Sequence, residues 1–206
     1  MLAPLALTLV AITDGLRGDA AELVSRACAA ARGGATMIQL RLKDADARTM
    51  VEVARSLIAA LPATVPLVVN DRADVAIAAG AAGVHVGPED VPPSALRRVV
   101  PPDFIIGASV GTDAELPLAT EADYVGIGPV YATDSKLDAG SAIGTSRLAE
   151  LITRSRKPAV AIGGIDVSNA ATVIDAGAAG VAVIRAIFAA KDPERAARAI
   201  RAAMGR

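Results

Sequence analysis

The chain has 206 residues, 53% apolar and 21% charged, which suits one domain with a sizeable core. Its formal net charge is −1 and no run of Lys and Arg forms a stripe. General attraction to nucleic acid or an anionic membrane is therefore excluded, and any bound anion must be held by a local site.

The opening MLAPLALTLVAI reads as a buried first strand, Leu7–Ile12, rather than a signal peptide. The first basic residue is Arg17, and the run ends at the polar Thr13-Asp14 pair. Cys28, the only cysteine, lies in the next segment, so neither an intramolecular disulfide nor a cysteine metal cage is available. That composition suits the cytoplasm, and no apolar stretch reaches the roughly 18 residues a membrane span needs.

From there short β-branched runs alternate with Ala-rich amphipathic segments to the end of the chain. Strands are predicted at Leu7–Ile12, Thr36–Leu42, Pro66–Asn70, Gly83–Gly87, Ile105–Val110, Tyr124–Gly128, Ala159–Gly163 and Gly180–Arg185. Helices are predicted at Ala20–Arg32, Ala47–Ala60, Asp113–Glu121, Ser146–Arg154, Ser168–Ala176 and Pro193–Met204, with shorter ones at 73–79 and 94–100. Connections of this length join parallel strands through crossover helices. So many units in so short a chain point to a closed (β/α)8 TIM barrel spanning residues 1–206 as one α/β catalytic domain. A doubly wound open sheet is the weaker reading, because no G-x-G-x-x-G follows the first strand. The run Ala79–Val84 recurs as Ala176–Val181, an echo expected of half-barrel symmetry. In both copies the first glycine fits a helix C′ position needing positive φ.

The second strand carries the clearest chemistry. With side chains alternating between faces, Ile38, Leu40 and Leu42 face the helices while Gln39, Arg41 and Lys43 point together into the barrel. Two cations there call either for an internal ion pair with neighbouring carboxylates or for an anionic ligand. The third strand ends in Asn70-Asp71 and the fourth leads to Glu89-Asp90, so carboxylates share this rim with the cations. Such a mixture suits magnesium, which takes one or two carboxylates plus substrate phosphate oxygens, although Asn-Asp is also ordinary turn chemistry.

After the sixth strand, Tyr131–Gly144 is a long polar segment holding Thr133, Ser135 and Lys136, and is read as a ligand loop. The seventh strand ends in Gly163-Gly164 and the eighth in Ile184-Arg185, where barrels of this kind often seat a phosphate. Two phosphate-bearing groups are thus expected, one near strands two to four and another near seven and eight. His85, the only histidine, reads as a packed structural residue.

In order and spacing the motifs resemble one family, thiamine phosphate synthase. They are Ile12-Thr13-Asp14, Gly34-Ala35-Thr36 leading to Gln39-Leu40-Arg41-Leu42-Lys43, and Val69-Asn70-Asp71-Arg72. Gly83–Asp90, Ile106–Ser109, Ala122–Pro129 and Ala161–Ile165 complete the set, which covers nearly the whole chain. The resemblance implies a (β/α)8 barrel that joins hydroxymethylpyrimidine diphosphate to thiazole phosphate, carboxylated in some members, releasing pyrophosphate. Carried over by position, Gln39, Arg41, Lys43, Asn70, Ser109 and Lys136 hold the diphosphate, with Arg41, Lys43, Ser109 and Lys136 assisting its departure. Asp71 and Asp90 bind Mg²⁺. Thr133, Ser135, Gly164, Ile184 and Arg185 meet the thiazole phosphate, and Tyr131 is the candidate to stack on the pyrimidine. Nothing in this pattern opposes a homo-oligomer.

The sequence departs from the family's usual residues at Leu42 (Glu), Pro88 (Gln), Gly111 (His), Ser135 (Thr) and Arg185 (Ser). Two rival readings are a thiazole tautomerase of the same fold and a non-catalytic barrel that binds thiamine precursors. The first relies by resemblance on a histidine where this chain has Gly111, and the second would dispense with Asp71 and Asp90.

Overall fold

The apolar runs form eight parallel strands: β1 (Leu9–Ile12), β2 (Met37–Leu40), β3 (Leu67–Asn70), β4 (Gly83–Val86), β5 (Ile105–Val110), β6 (Tyr124–Ile127), β7 (Ala159–Ile162) and β8 (Gly180–Val183). The structure is a computed structural model that describes residues 7–16, 18–133 and 140–205. Each strand pairs with its neighbour in sequence, and β1 pairs with β8, so the sheet closes into the expected barrel. Around it run α1 (Ala20–Arg32), α2 (Ala47–Ala60), α3 (Ala73–Ala79), α4 (Pro93–Leu96), α5 (Gly144–Ser155), α6 (Ala170–Asp175), α7 (Arg185–Phe188) and α8 (Pro193–Ala203). Among the described residues, no helix is long and apolar enough to cross a membrane.

Local chemistry sets these boundaries. Asp19, Asp46 and Asp192 each accept from a backbone N–H in the first turn of α1, α2 and α8, satisfying donors the helix cannot pair internally. Gly80, which ends α3, has φ 75°, and Gly177, just beyond α6, has φ 100°, the positive-φ positions predicted from the repeat. The segment predicted as a helix at Asp113–Glu121 is instead a 3-10 helix, Asp113–Ala119. Pro117 within it has no N–H to give an α-helical hydrogen bond. Five of the eight ladders stop one or two residues before the predicted strand ends, where the chain turns out of the barrel onto its C-terminal rim. At the last strand the chain changes element as well: β8 ends at Val183, and Arg185 opens the short helix α7.

Two apolar layers follow from the alternation along the strands. Ile38, Leu40 and Leu42 belong to the layer between barrel and helices, with Leu23, Val53 and Leu57 from α1 and α2. Val10, Ile12, Met37, Val68, Tyr124 and Val160 fill the barrel's interior. The rim above that interior is where the polar residues gather.

Candidate active site

The ends of β1 to β4 and the middle of β5 and β6 surround a cavity of about 500 Å³. Gln39, Arg41, Lys43, Asn70, Asp71, Asp90 and Ser109 all line it, so the residues expected to hold the diphosphate and the metal come together. Gln39 is buried, and its Nε2 donates to Asn70 Oδ1 at 2.7 Å, which fixes both amides. Thr13, at the end of β1, clasps the backbone of Arg41: its hydroxyl accepts from Arg41 N–H at 2.8 Å and donates to Arg41 C=O at 3.0 Å. The guanidinium itself makes no hydrogen bond or ion pair among the described residues. For Arg41 the internal ion pair is thereby set aside.

Beyond β3 the backbone of Asp71 takes φ 64°, a left-handed conformation that Asp tolerates better than most residues, and its N–H donates to His85 C=O at 2.8 Å. Beyond β4, Asp90 Oδ2 accepts from Gly87 N–H at 2.7 Å, closing the 87–90 turn over the cavity. Asp71 and Asp90 thus face the same space from adjacent rim turns. Among the described residues no group of three or more His, Cys, Asp or Glu gathers as a metal cage.

His85, read from sequence as a packed structural residue, is both packed and part of the cavity floor. Its Nδ1 lies 3.1 Å from the hydroxyl of Tyr124 and its Nε2 lies 3.1 Å from the hydroxyl of Ser109. Tyr124 is fully buried; burial first, then the nearby Asp123 carboxylate, pushes its phenol well above the ordinary tyrosine value. The sequence reading missed Tyr124. The available signal was Gly107 and Gly126, two glycines inside strands that mark close approach by other groups.

A second cavity of about 670 Å³ adjoins the first, sharing Pro88, Ser109, Gly126, Ile162, Ala182 and Ile184 with it. Thr133, Gly164, Ile184 and Arg185 line this second space. Gly163 and Gly164 have φ 97° and 64°, and a Cβ on Gly164 would stand 2.6 Å from Ala132 O. Glycine there lets β7 press against the segment after β6, where Val130 N–H donates to Ile162 C=O and Tyr131 N–H to Gly163 C=O. The long polar loop is closed at its base by Ile143 N–H to Pro129 C=O and Gly144 N–H to Val130 C=O. Ser135 and Lys136 lie outside the described residues. Arg185 is exposed at the mouth of the cavity and makes no ion pair with a carboxylate among the described residues.

Two features depart from expectation. Tyr131 packs partly buried against the layer between barrel and helices and lines neither cavity. Glu115, which the sequence reading did not single out, lines the second cavity and accepts from Gly111 N–H at 2.6 Å.

The molecule is thus a (β/α)8 barrel with a two-part polar cavity at its C-terminal rim, one part cationic and carboxylate-rich, the other glycine-rich. The family described as thiamine monophosphate synthase matches residues 9–187. A thiamine-phosphate synthase of Xanthobacter autotrophicus is 48% identical over 204 residues, covering 98% of this chain and 97% of the relative. One from a Roseiflexus species is 48% identical, covering 93% and 82%. A thiamine phosphate pyrophosphorylase structure from Pyrococcus furiosus superposes with a TM-score of 0.86 at 37% identity, covering 98% of this chain and 97% of that one. This chain belongs to the thiamine monophosphate synthase family, and it is an enzyme.

Proposed function

We propose that this chain is a single-domain, cytoplasmic thiamine phosphate synthase, a transferase that moves the pyrimidinylmethyl group of hydroxymethylpyrimidine diphosphate onto the nitrogen of thiazole phosphate. The observation that carries this reading is the pair of adjoining cavities meeting at Ser109 and Ile184. Two phosphate-bearing substrates seated side by side need that division, and family membership supplies the chemistry.

In this assignment Gln39, Arg41, Lys43, Asn70, Ser109 and Lys136 take the diphosphate. Thr133, Ser135, Gly164, Ile184 and Arg185 take the thiazole phosphate. Asp71 and Asp90 hold Mg²⁺. Asp71 and Asp90, sharing one cavity with the Gln39 and Asn70 amides and the cations Arg41 and Lys43, suit that ion, which requires only one or two protein carboxylates when phosphate oxygens complete its shell. When bound, Mg²⁺ supplies positive charge to the phosphate oxygens.

The step breaks the bond from the pyrimidine methylene to the diphosphate oxygen, and the electron pair leaves with pyrophosphate. Arg41, Lys43 and Lys136 offset the growing charge, and Ser109 donates a hydrogen bond to it. The thiazole nitrogen lone pair then forms the new C–N bond. No protein nucleophile is required, and the chain's main task is to hold both reactants at near-attack distance. Gln39, locked by Asn70, keeps the floor of the diphosphate half rigid.

The tautomerase reading finds no support at its key position, where Gly111 is tied to Glu115 and the chain's only histidine sits on β4. The test is reconstitution with the purified protein, both substrates and Mg²⁺. Thiamine phosphate and pyrophosphate should form in equal amounts and stop on adding EDTA. A folded sample that releases neither at any magnesium concentration would refute the proposal.

A further inference from the structure

We infer that Tyr124 and His85 form a buried relay that fixes Ser109 as a hydrogen-bond donor to the leaving pyrophosphate, so that both act as positioning residues. The inference rests on the function proposed above and deepens it.

The barrel register builds this relay. His85 on β4 pairs with Gly107 on β5, and Gly107 pairs with Tyr124 on β6, placing the three at one level. With no side chain at Gly107, the imidazole and phenol meet directly across β5. A Cβ there would collide with the Tyr124 ring and stand 2.5 Å from His85 Nδ1. One level up, Ser109 pairs with Gly126, whose missing side chain leaves space beside His85 Nε2.

Hydrogen-bond accounting settles the directions. The only hydrogen-bond partner of the buried Tyr124 hydroxyl among the described residues is His85 Nδ1. A buried phenol keeps its proton, and leaving that donor unsatisfied is costly, so the hydroxyl donates and Nδ1 accepts. A neutral imidazole with Nδ1 bare carries its proton on Nε2, which donates to Ser109 Oγ at 3.1 Å. The serine hydroxyl, already accepting from His85, has its own proton to give. Ser109 sits where the two cavities meet, so the receiving group is an oxygen of the substrate diphosphate. In the opposite tautomer Ser109 would spend its proton on His85 and face the anion with a lone pair.

His85 is the only histidine, so a long-range ¹H–¹⁵N spectrum contains one imidazole. The neutral Nε2–H tautomer is expected in the wild type, with conversion towards a tautomer mixture in Tyr124→Phe, which removes one oxygen from a site that holds the ring. Calorimetry with Mg²⁺ and inorganic pyrophosphate should show binding weakened roughly tenfold in Tyr124→Phe and in Ser109→Ala. The double variant should be no weaker than Ser109→Ala alone, because both changes remove the same contact. An Nδ1–H tautomer or an imidazolium at neutral pH in the wild type, or additive losses in the double variant, would overturn the relay. Failure of the synthase reaction in a wild type that gives these binding and tautomer results would sink the proposed function and leave the relay standing.

Discussion

Replacing Arg41 with alanine separates a ligand-holding cation from a structural one. The backbone of Arg41 is clasped by the Thr13 hydroxyl through two hydrogen bonds that do not involve the side chain, so the substitution leaves them intact. The guanidinium has no ion-pair partner to lose among the described residues, and the side chain is only half-buried. The expected change in folding stability is therefore under about 1 kcal/mol, a melting shift of roughly 2–4 °C for a chain of this size. Under the proposed assignment the same group would make a charge-assisted, fork-shaped contact with the diphosphate of about 1.5–3 kcal/mol, roughly ten- to a hundredfold in kcat/KM. The assay is continuous pyrophosphate release at saturating thiazole phosphate, run beside thermal unfolding of both proteins. A melting drop of ten degrees or so with unchanged kinetics would show that Arg41 is a structural cation and refute the reasoning.

Other predictions follow from the same geometry. Asp71→Asn and Asp90→Asn should each raise the magnesium requirement and lower turnover by at least about tenfold, and a wild-type magnesium titration curve in both would place the ion elsewhere. Gly164→Ala puts a Cβ 2.6 Å from Ala132 O at φ 64°. It should cost roughly 1–3 kcal/mol in unfolding and raise the KM for thiazole phosphate, and an unchanged melting point would show that the two strand ends do not press together. Arg185→Ser should raise the KM for thiazole phosphate roughly ten- to a hundredfold while leaving that for the pyrimidine diphosphate unchanged. Equal constants in variant and wild type would make Arg185 a surface residue.

Much of this molecule can be read in the sequence because two periodicities dominate it. The alternation in Met37–Lys43 assigns one set of side chains to the helices and the other to the barrel mouth, and Ile38, Leu40, Leu42 and Gln39 lie accordingly. Alternation does not say where hydrogen bonding stops. Ile184 continues the apolar run of the last strand in sequence, yet the chain leaves the ladder at Val183 and coils into α7 from Arg185. Pairing across strands is also invisible in one dimension. His85 and Tyr124 are far apart in sequence, and only the register through Gly107 brings them together. Tyr131 shows the converse: in a chain with two tyrosines and two phenylalanines it is the candidate to stack on the pyrimidine, yet it lines neither cavity.

The division of the cavity into a diphosphate half and a monophosphate half is tested most directly by a crystal structure with Mg²⁺, pyrophosphate and thiamine phosphate bound. Pyrophosphate should lie against Gln39, Arg41 and Asn70 with the metal between Asp71 and Asp90, and the phosphate of thiamine phosphate should lie at Gly164 and Arg185. Finding the thiamine phosphate group seated at Arg41, or the pyrophosphate at Gly164, would contradict the account.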